Sequence, residues 1–176
     1  MTGRGGTTAL FQVSAADVAD TSDDWYTPRW IFDAAGLVFD MDVAAPADPA
    51  RRTCPALRYL SPVDDGLTHQ WKGIVWCNPP YSAVRPWAER FAAHPEGLLL
   101  VPGVRSFWVN RVLSTADAVT LLGDVEFGRP DGSASTLRSV VILAAKGPSA
   151  VSALYRVAAA DVLHGAGTVF VRPAAS

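Results

Sequence analysis

Short apolar runs alternate with amphipathic stretches along the chain from Trp25 onward. Short apolar runs bounded by turn residues are typical of buried strands, whereas apolar residues three to four positions apart are typical of helices. Their alternation predicts an α/β sheet fold. The predicted strands cover residues 37–43, 74–77, 98–101, 119–122, 125–127, 137–144 and 168–171, and the predicted helices cover residues 28–35, 83–93, 107–113 and 151–163.

Two less regular segments complete this pattern. Residues 1–22 are rich in Gly, Thr, Ala and Asp without a sustained period, which predicts a loose N-terminal arm before one domain over residues 23–176. The polar stretch 128–136, with Pro130-Asp131-Gly132, predicts a turn. The strands before and after that turn are therefore expected to form an antiparallel hairpin.

The first helix has clear end signals, and the segment that follows its strand is short. Thr27 is expected to be the N-cap, Pro28 the first helical residue and Gly36 the C-terminal cap. About thirty residues separate Asp42 from Gly73, roughly the length of a single strand–helix–strand unit. This segment contains four prolines and is predicted to be mostly irregular. We therefore expect a shortened sheet, without room for an added recognition domain.

Composition fits one folded domain. The chain has 176 residues, 49% of them hydrophobic, and a net charge of -2, which excludes a disordered chain and a basic protein that coats nucleic acid. An enzyme acting on nucleic acid remains compatible, because charge can be distributed unevenly over the surface. All of the 15 basic residues except Lys72 and Lys146 are arginines. Arginine suits bidentate contacts to phosphates and bases, although heavy use of Arg and Ala also reflects genomic composition, which is the simpler explanation.

The patterns of cysteines, histidines and apolar runs argue against a disulfide-rich, metal-binding, membrane-spanning or secreted protein. Cys54 and Cys77 cannot form a disulfide framework and are expected to be reduced thiols. The three histidines have no metal-ligand spacing, so we expect no metal site. The apolar runs are too short to span a membrane, and no hydrophobic run follows the N-terminus as in a secretory signal. We therefore expect a soluble intracellular protein.

The tetrapeptide Asn78-Pro79-Pro80-Tyr81 directly follows a predicted buried strand. Ligands of open α/β sheets bind at the carboxyl ends of strands, which is where this loop falls. Two prolines can also simply end a strand, with Tyr81 covering the edge of the core. The complete tetrapeptide in this place is more specific, and it resembles the catalytic motif of S-adenosylmethionine-dependent amino-methyltransferases.

That resemblance explains the residue types of the loop. The lone pair of an exocyclic base amine is delocalised into the ring and is a poor nucleophile. The Asn78 side-chain oxygen and the Pro79 carbonyl can each accept one of its N–H groups, which favours a tetrahedral nitrogen. Pro79 and Pro80 stiffen the loop and preorganise these acceptors. Tyr81 offers a ring on which an extruded base stacks.

Two earlier motifs extend the resemblance. Many amino-methyltransferases have a Thr-Pro where this chain has Trp25-Tyr26-Thr27-Pro28, with the Thr and the helix N-terminus at the cofactor carboxylate. A capped helix start is the simpler interpretation. Asp42-Val43-Ala44-Ala45 lies where the usual glycine-rich cofactor loop is expected, although alanines replace glycines and the segment is also a plain strand end.

In this order the motifs resemble the phage-encoded DNA N6-adenine methyltransferases (phage Dam-like). Those proteins also have an Asp-Gly-Leu and a Trp-x-Gly before Asn-Pro-Pro-Tyr, and here these are Asp65-Gly66-Leu67 and Trp71-Lys72-Gly73. The match is densest from Trp25 to Trp87. The resemblance implies a single Rossmann-like methyltransferase domain with a shortened mixed sheet and an antiparallel hairpin. It also implies transfer of a methyl group from S-adenosylmethionine to adenine N6 in DNA.

The resemblance further implies roles for site residues and a setting for the protein. The expected catalytic residues are Asn78, Pro79, Pro80 and Tyr81, and the expected cofactor-binding residues are Trp25, Thr27, Pro28, Asp42, Ala44, Ala45 and Asp65. Asp65 is also a plausible turn residue. The implied setting is the cytoplasm of a bacterial host, with phage or prophage origin, a restriction-modification context and a homodimer as a possible state.

Three arginines and two other functions stay open. Arg51, Arg52 and Arg58 form the densest basic cluster, which suits DNA phosphates or simply a solvated loop. Asn-Pro-Pro-Tyr also serves enzymes that methylate protein glutamine or RNA. A catalytically silent homologue that binds cofactor or DNA is the third alternative.

Overall fold

The computed structural model describes residues 23, 25–137, 140–161 and 168–172, so the predicted arm over residues 1–22 lies outside the described residues. Within them the helices are α1 (Arg29–Ala35), α2 (Val84–Ala93), α3 (Phe107–Thr115) and α4 (Pro148–Asp161). The strands are β1 (Phe39–Asp42), β2 (Ala56–Tyr59), β3 (Val75–Cys77), β4 (Gly97–Pro102), β5 (Ala118–Leu122), β6 (Glu126–Gly128), β7 (Ala134–Thr136), β8 (Val141–Lys146) and β9 (Val169–Val171).

Seven of these strands form one mixed sheet in the order β2-β1-β3-β4-β8-β5-β9. β2, β1, β3 and β4 are parallel, and β8 pairs antiparallel with both β4 and β5. β5 and β8 pair from Ala118↔Ala145 to Leu122↔Val141, and β6 and β7 continue this hairpin as a small separate ribbon. The predicted α/β fold with an antiparallel hairpin is confirmed, and β8 lies inside the sheet.

Both faces of the sheet are covered by helices. α1 and α4 pack together on one face, and α2 and α3 pack together on the other. The sequence of β4 is continuously apolar because all of its residues are buried. Leu98 and Leu100 join the core under α1 and α4, whereas Leu99 and Val101 join the core under α2 and α3. A strand covered on both faces has no polar side to alternate with.

The predicted irregular segment contains a strand that the pattern did not indicate. β2 lies at the sheet edge beside β1, and none of its residues is buried. Leu57 is 77% exposed, so the apolar alternation that marks a half-buried strand is absent. The connection from β1 to β2 holds only the 3₁₀ turn Pro49–Arg51. The expected shortening between Asp42 and Gly73 is therefore confirmed.

One end of the first helix differs from the prediction. Pro28, not Thr27, is the N-cap of α1, and no side-chain hydrogen bond caps this end. The Thr27 hydroxyl accepts a hydrogen bond from another loop instead. Gly36 is the C-cap in the left-handed conformation with φ 57°, as predicted. Other boundaries moved by a few residues: β8 begins at Val141, and α4 begins at Pro148, where a proline is tolerated.

Gly73 explains the Trp-x-Gly motif. Its φ of +64° is unfavourable for other residues, and an added Cβ would lie 2.0 Å from Oδ2 of Asp40. The same Oδ2 accepts a hydrogen bond of 2.7 Å from the Ile74 backbone. Asp40 in β1 therefore binds the backbone at the start of β3. This hydrogen bond helps to fix the register between β1 and β3, whose carboxyl ends lie at the same edge of the sheet.

Candidate active site

A cavity of about 230 Å³ opens at the carboxyl ends of β1 and β3. The parallel pairing of these strands brings the segment after Asp42 next to the segment after Cys77. Ligands of α/β sheets bind at such an edge. The predicted site residues that line the cavity are Trp25, Thr27, Asp42, Ala44, Ala45, Arg51, Asp65, Asn78, Pro79 and Pro80, whereas Pro28, Arg52, Arg58 and Tyr81 do not line it.

The Asn78 side chain is held by its amide nitrogen. Nδ2 donates to the Trp25 backbone carbonyl at 2.7 Å and to Oγ1 of Thr27 at 3.1 Å. Its oxygen, Oδ1, is buried and accepts no hydrogen bond from the described residues. A buried acceptor without a partner is rare, because its desolvation is not compensated. This oxygen is therefore a fixed acceptor that a ligand N–H group would satisfy.

Tyr81 lies behind Trp25. The two rings stack with centroids 5.9 Å apart and planes at 18°, and Phe127 contacts both rings edge-on. The guanidinium of Arg129 lies 4.2 Å from the Trp25 ring centroid. Burial raises the pKa of the Tyr81 phenol well above its usual range. Stacking of an extruded base on Tyr81 stays a prediction, and in this structure Trp25 is stacked on one face of that ring.

The segment around Trp25 is tied to the loop after Asn78. The Asp23 carboxylate accepts hydrogen bonds from the Ser82 backbone at 2.9 Å and from its hydroxyl at 2.5 Å. Thr53 donates its hydroxyl to the Thr27 carbonyl at 2.8 Å. Tyr26 pairs with Gly128 through two backbone hydrogen bonds of 3.0 Å. Residue 23 and residues 25–27 therefore form a strap, which is joined to three other segments of the chain through Thr53, Ser82 and Gly128.

Asp42 is a buried acid on the cavity wall. It is 3% exposed, and its Oδ1 accepts a hydrogen bond of 3.3 Å from the Ala44 backbone. Burial raises its pKa to about 7, and the Ala44 hydrogen bond and the charge of Arg52 oppose that rise only in part. A positively charged ligand group beside Asp42 would favour the ionised carboxylate. The site is thus suited to a cation.

This raised pKa predicts a pH-dependent cost of folding. Between about pH 4 and pH 7 the folded chain keeps a proton on Asp42 that the unfolded chain has lost, so stability falls as pH rises through that window. Asp42→Asn keeps the acceptor oxygen and removes the ionisation. We expect its stability advantage over the parent to grow to a few kcal/mol by pH 8, since one pKa unit is about 1.4 kcal/mol.

Urea unfolding at pH 4.5 and pH 8 measures this difference. Asp33→Asn is the matched control, because Asp33 lies on the outer side of α1 with its side chain 65% exposed. An advantage of Asp42→Asn that is the same at both pH values would contradict the prediction.

Two residues of the Asp-Gly-Leu motif, Asp65 and Gly66, also line the cavity. Asp65 adopts a positive φ of 53°, which aspartate tolerates better than most residues, and its Oδ1 accepts from the Leu67 backbone at 3.1 Å. A Cβ on Gly66 would lie 1.9 Å from the Val43 carbonyl oxygen, so only glycine fits. Asp64 lies outside the cavity lining and accepts two hydrogen bonds from Ser61. Asp65 is therefore the acid of this pair that faces the cavity.

Two of the three predicted DNA-binding arginines make contacts within the fold. Arg51 donates to the Pro130 carbonyl at 3.0 Å and lies over the Tyr26 ring, so it links two loops. Arg52 donates to the Pro46 carbonyl at 3.1 Å and lies over the Tyr59 ring. Arg58 is exposed on the edge strand β2. Contact of these three side chains with DNA stays a prediction.

Sequence reasoning missed several cavity residues. Phe32, Trp76 and Trp87 lie in helices or strands, where packing alone explains an apolar residue. Thr53, Leu60 and Ser61 lie in loops that carry no motif. The role of Asp23 gave no sequence signal, because its partner Ser82 is 59 positions away.

The described residues contain no group of three or more His, Cys, Asp or Glu side chains placed to hold a metal ion. Cys54 and Cys77 are both buried and free, and burial raises the pKa of each thiol well above its usual range. None of the described helices is both long enough and apolar enough to cross a membrane.

The sheet, the Asn-Pro-Pro-Tyr loop at its carboxyl edge and the cavity reaching from that loop to Asp42 define a Rossmann-like methyltransferase that acts on amino groups. A model of the DNA N-6-adenine-methyltransferase (Dam) family matches residues 15–141. The chain belongs to this family and is an S-adenosylmethionine-dependent enzyme that methylates adenine N6 in DNA. The family resemblance of the motifs is thereby confirmed. A comparison with curated proteins gave no match.

Proposed function

We propose that the cavity binds S-adenosylmethionine and that Asn78 Oδ1 accepts a hydrogen bond from the N6 amine of the target adenine. The observation that carries this proposal is the buried Oδ1, which has no partner among the described residues while Nδ2 has two. An acceptor fixed in this way needs no reorganisation when charge develops on the amine.

The residues of the cavity fit this cofactor. Its adenosine offers an aromatic ring, and its methionine part carries positive charge. Apolar and aromatic walls are provided by Phe32, Leu60 and Trp87, and the buried Asp42 carboxyl suits a cationic group. Asp65 lies on the same wall as Gly66 and offers a second carboxylate. When bound, the cofactor supplies an electrophilic methyl group.

Asn78 and Pro79 act on the amine. With Oδ1 and the Pro79 carbonyl each accepting one N–H group, the N6 lone pair is turned out of conjugation and aimed at the methyl group. With the cofactor bound, the nitrogen would form a bond to the methyl carbon as the bond from that carbon to the cofactor sulfur breaks, so the demethylated cofactor would be the leaving group. The nitrogen would release one proton to water. A neutral amide is too weak a base to take that proton, so Asn78 orients and polarises the amine. Pro79 and Pro80 keep the loop stiff.

Titration calorimetry with S-adenosylmethionine and its demethylated product tests the cofactor part. We expect saturable binding to one site per chain, weakened at least tenfold by Asp42→Ala because a buried counter-charge is lost. Asp33→Ala, on the exposed side of α1, is the matched control and should bind as the parent does. The absence of binding at millimolar cofactor would overturn the proposal.

The reaction itself is checked on a DNA duplex that contains adenine in many sequence contexts. The duplex is digested after the reaction and analysed by mass spectrometry for N6-methyladenine.

Homodimer formation, a bacterial cytoplasmic setting and phage origin stay predictions from the resemblance.

A further inference from the structure

Thr27 contacts the amide that the proposed reaction depends on. Its side chain is 5% exposed, and its Oγ1 lies 3.1 Å from Nδ2 of Asn78. The second hydrogen of the same NH₂ group is donated to the Trp25 carbonyl at 2.7 Å. An amide nitrogen has two hydrogens to donate, and both are used.

The two acceptors fix different properties of the amide. The Trp25 carbonyl can only accept, so an amide turned by 180° would place Oδ1 against another oxygen. This selects which end of the amide faces the cavity. Thr27 Oγ1 lies in a second direction from Nδ2, and together the two bonds fix the plane of the amide. Loss of one bond leaves the amide less restrained in its rotation about the Cβ–Cγ bond.

Thr27 is itself held in place. The hydroxyl of Thr53 donates to its backbone carbonyl at 2.8 Å, and the strap is further fixed by the hydrogen bonds that the Asp23 carboxylate accepts from Ser82. These hydrogen bonds hold the backbone of Thr27 in place, and with it the hydroxyl that contacts Asn78. Side chains that support a catalytic group in this way commonly determine how well it is oriented.

We propose that Thr27 is a positioning residue for methyl transfer, whose hydroxyl holds the Asn78 amide with Oδ1 toward the target amine. This inference rests on the proposed function of Asn78. It assigns Thr27 a role different from the cofactor contact that the family resemblance implies. α1 has only seven residues, and its N-cap Pro28 does not line the cavity. The Thr27 hydroxyl, in contrast, has an observed partner in Asn78.

The full chain with two substitutions at this position provides the test. Thr27→Val keeps the shape of the side chain and removes the acceptor, whereas Thr27→Ser keeps the hydroxyl. We expect Thr27→Val to lower the single-turnover rate on duplex DNA about tenfold, with cofactor and DNA dissociation constants within twofold of the parent. Thr27→Ser should recover most of the rate. A Thr27→Ser rate as low as that of Thr27→Val would overturn the inference.

A double-mutant cycle with Asn78→Ala separates positioning from cofactor binding. Without the amide there is nothing for Thr27 to position, so Thr27→Val should leave the residual rate of Asn78→Ala unchanged. The same tenfold loss in both backgrounds, or a raised cofactor dissociation constant with Thr27→Val, would overturn the inference. A parental rate for Asn78→Ala alone would instead overturn the proposed function. Thermal unfolding of each variant checks that the rates belong to folded protein.

Discussion

Asn78→Ala is expected to lower the rate of methyl transfer by about 10²- to 10³-fold, as the loss of one preorganised polar partner does in other enzymes. The alanine removes Oδ1, the acceptor that is buried and without a partner among the described residues. Cofactor affinity should change little, because the Asp42 and Asp65 walls of the cavity remain. Single-turnover rates and cofactor dissociation constants measure the two effects separately.

Asn78→Asp adds a graded comparison. A carboxylate keeps the Oδ1 acceptor, but its second oxygen replaces the NH₂ group that faces the Trp25 carbonyl 2.7 Å away. The Thr27 hydroxyl can turn to donate to this oxygen, whereas the carbonyl cannot. We therefore expect a rate between those of the parent and Asn78→Ala.

The control for Asn78 is Asn110→Ala, which removes the same side chain from an exposed position of α3 and should leave the rate unchanged. Methylation by Asn78→Ala at the parental rate would show that the loop only ends β3. The proposed mechanism would then be wrong.

Gly66→Ala is expected to destabilise the fold and to weaken cofactor binding together. The added Cβ would lie 1.9 Å from the Val43 carbonyl oxygen and 2.9 Å from the Trp87 ring. The first contact is with backbone, which cannot turn aside as a flexible side chain can, so the loop after β1 must move. Overpacking of this kind costs about 1–3 kcal/mol and sometimes more. Since Ala44 and Ala45 of that loop line the cavity, we expect at least a tenfold loss of cofactor affinity.

Urea unfolding and calorimetry test this pair of effects. Gly128→Ala is the matched control, because a Cβ there would have its nearest neighbour at 3.5 Å, an ordinary contact, and its backbone does not require a positive φ. A Gly66→Ala protein with parental stability and cofactor affinity would show that the close approach of Gly66 to Val43 is not required.

Local sequence signals were sufficient to predict most of the helices and strands. β4 is a continuous apolar run because both of its faces are covered, and α2 places Trp87 and Phe91 one turn apart on its buried side. Gly36 ends α1 in the left-handed conformation that favours glycine. The edge strand β2 could not be read from the chain, because none of its side chains is buried and its pairing depends on β1 alone.

For the candidate site, too, some features could be predicted from the sequence and others only from the tertiary structure. The sequence by itself determined the family and the residue types of the loop after β3, because Asn78-Pro79-Pro80-Tyr81 and the motifs before it are contiguous and ordered along the chain. Only the tertiary structure decided that the Thr27 hydroxyl accepts a hydrogen bond from Asn78 and does not cap α1, that Trp25 stacks on Tyr81, and that Arg51 reaches Pro130. Each of these contacts joins residues more than fifty positions apart, and the hydrogen-bonding capacity of a side chain does not specify its partner until packing has placed both groups.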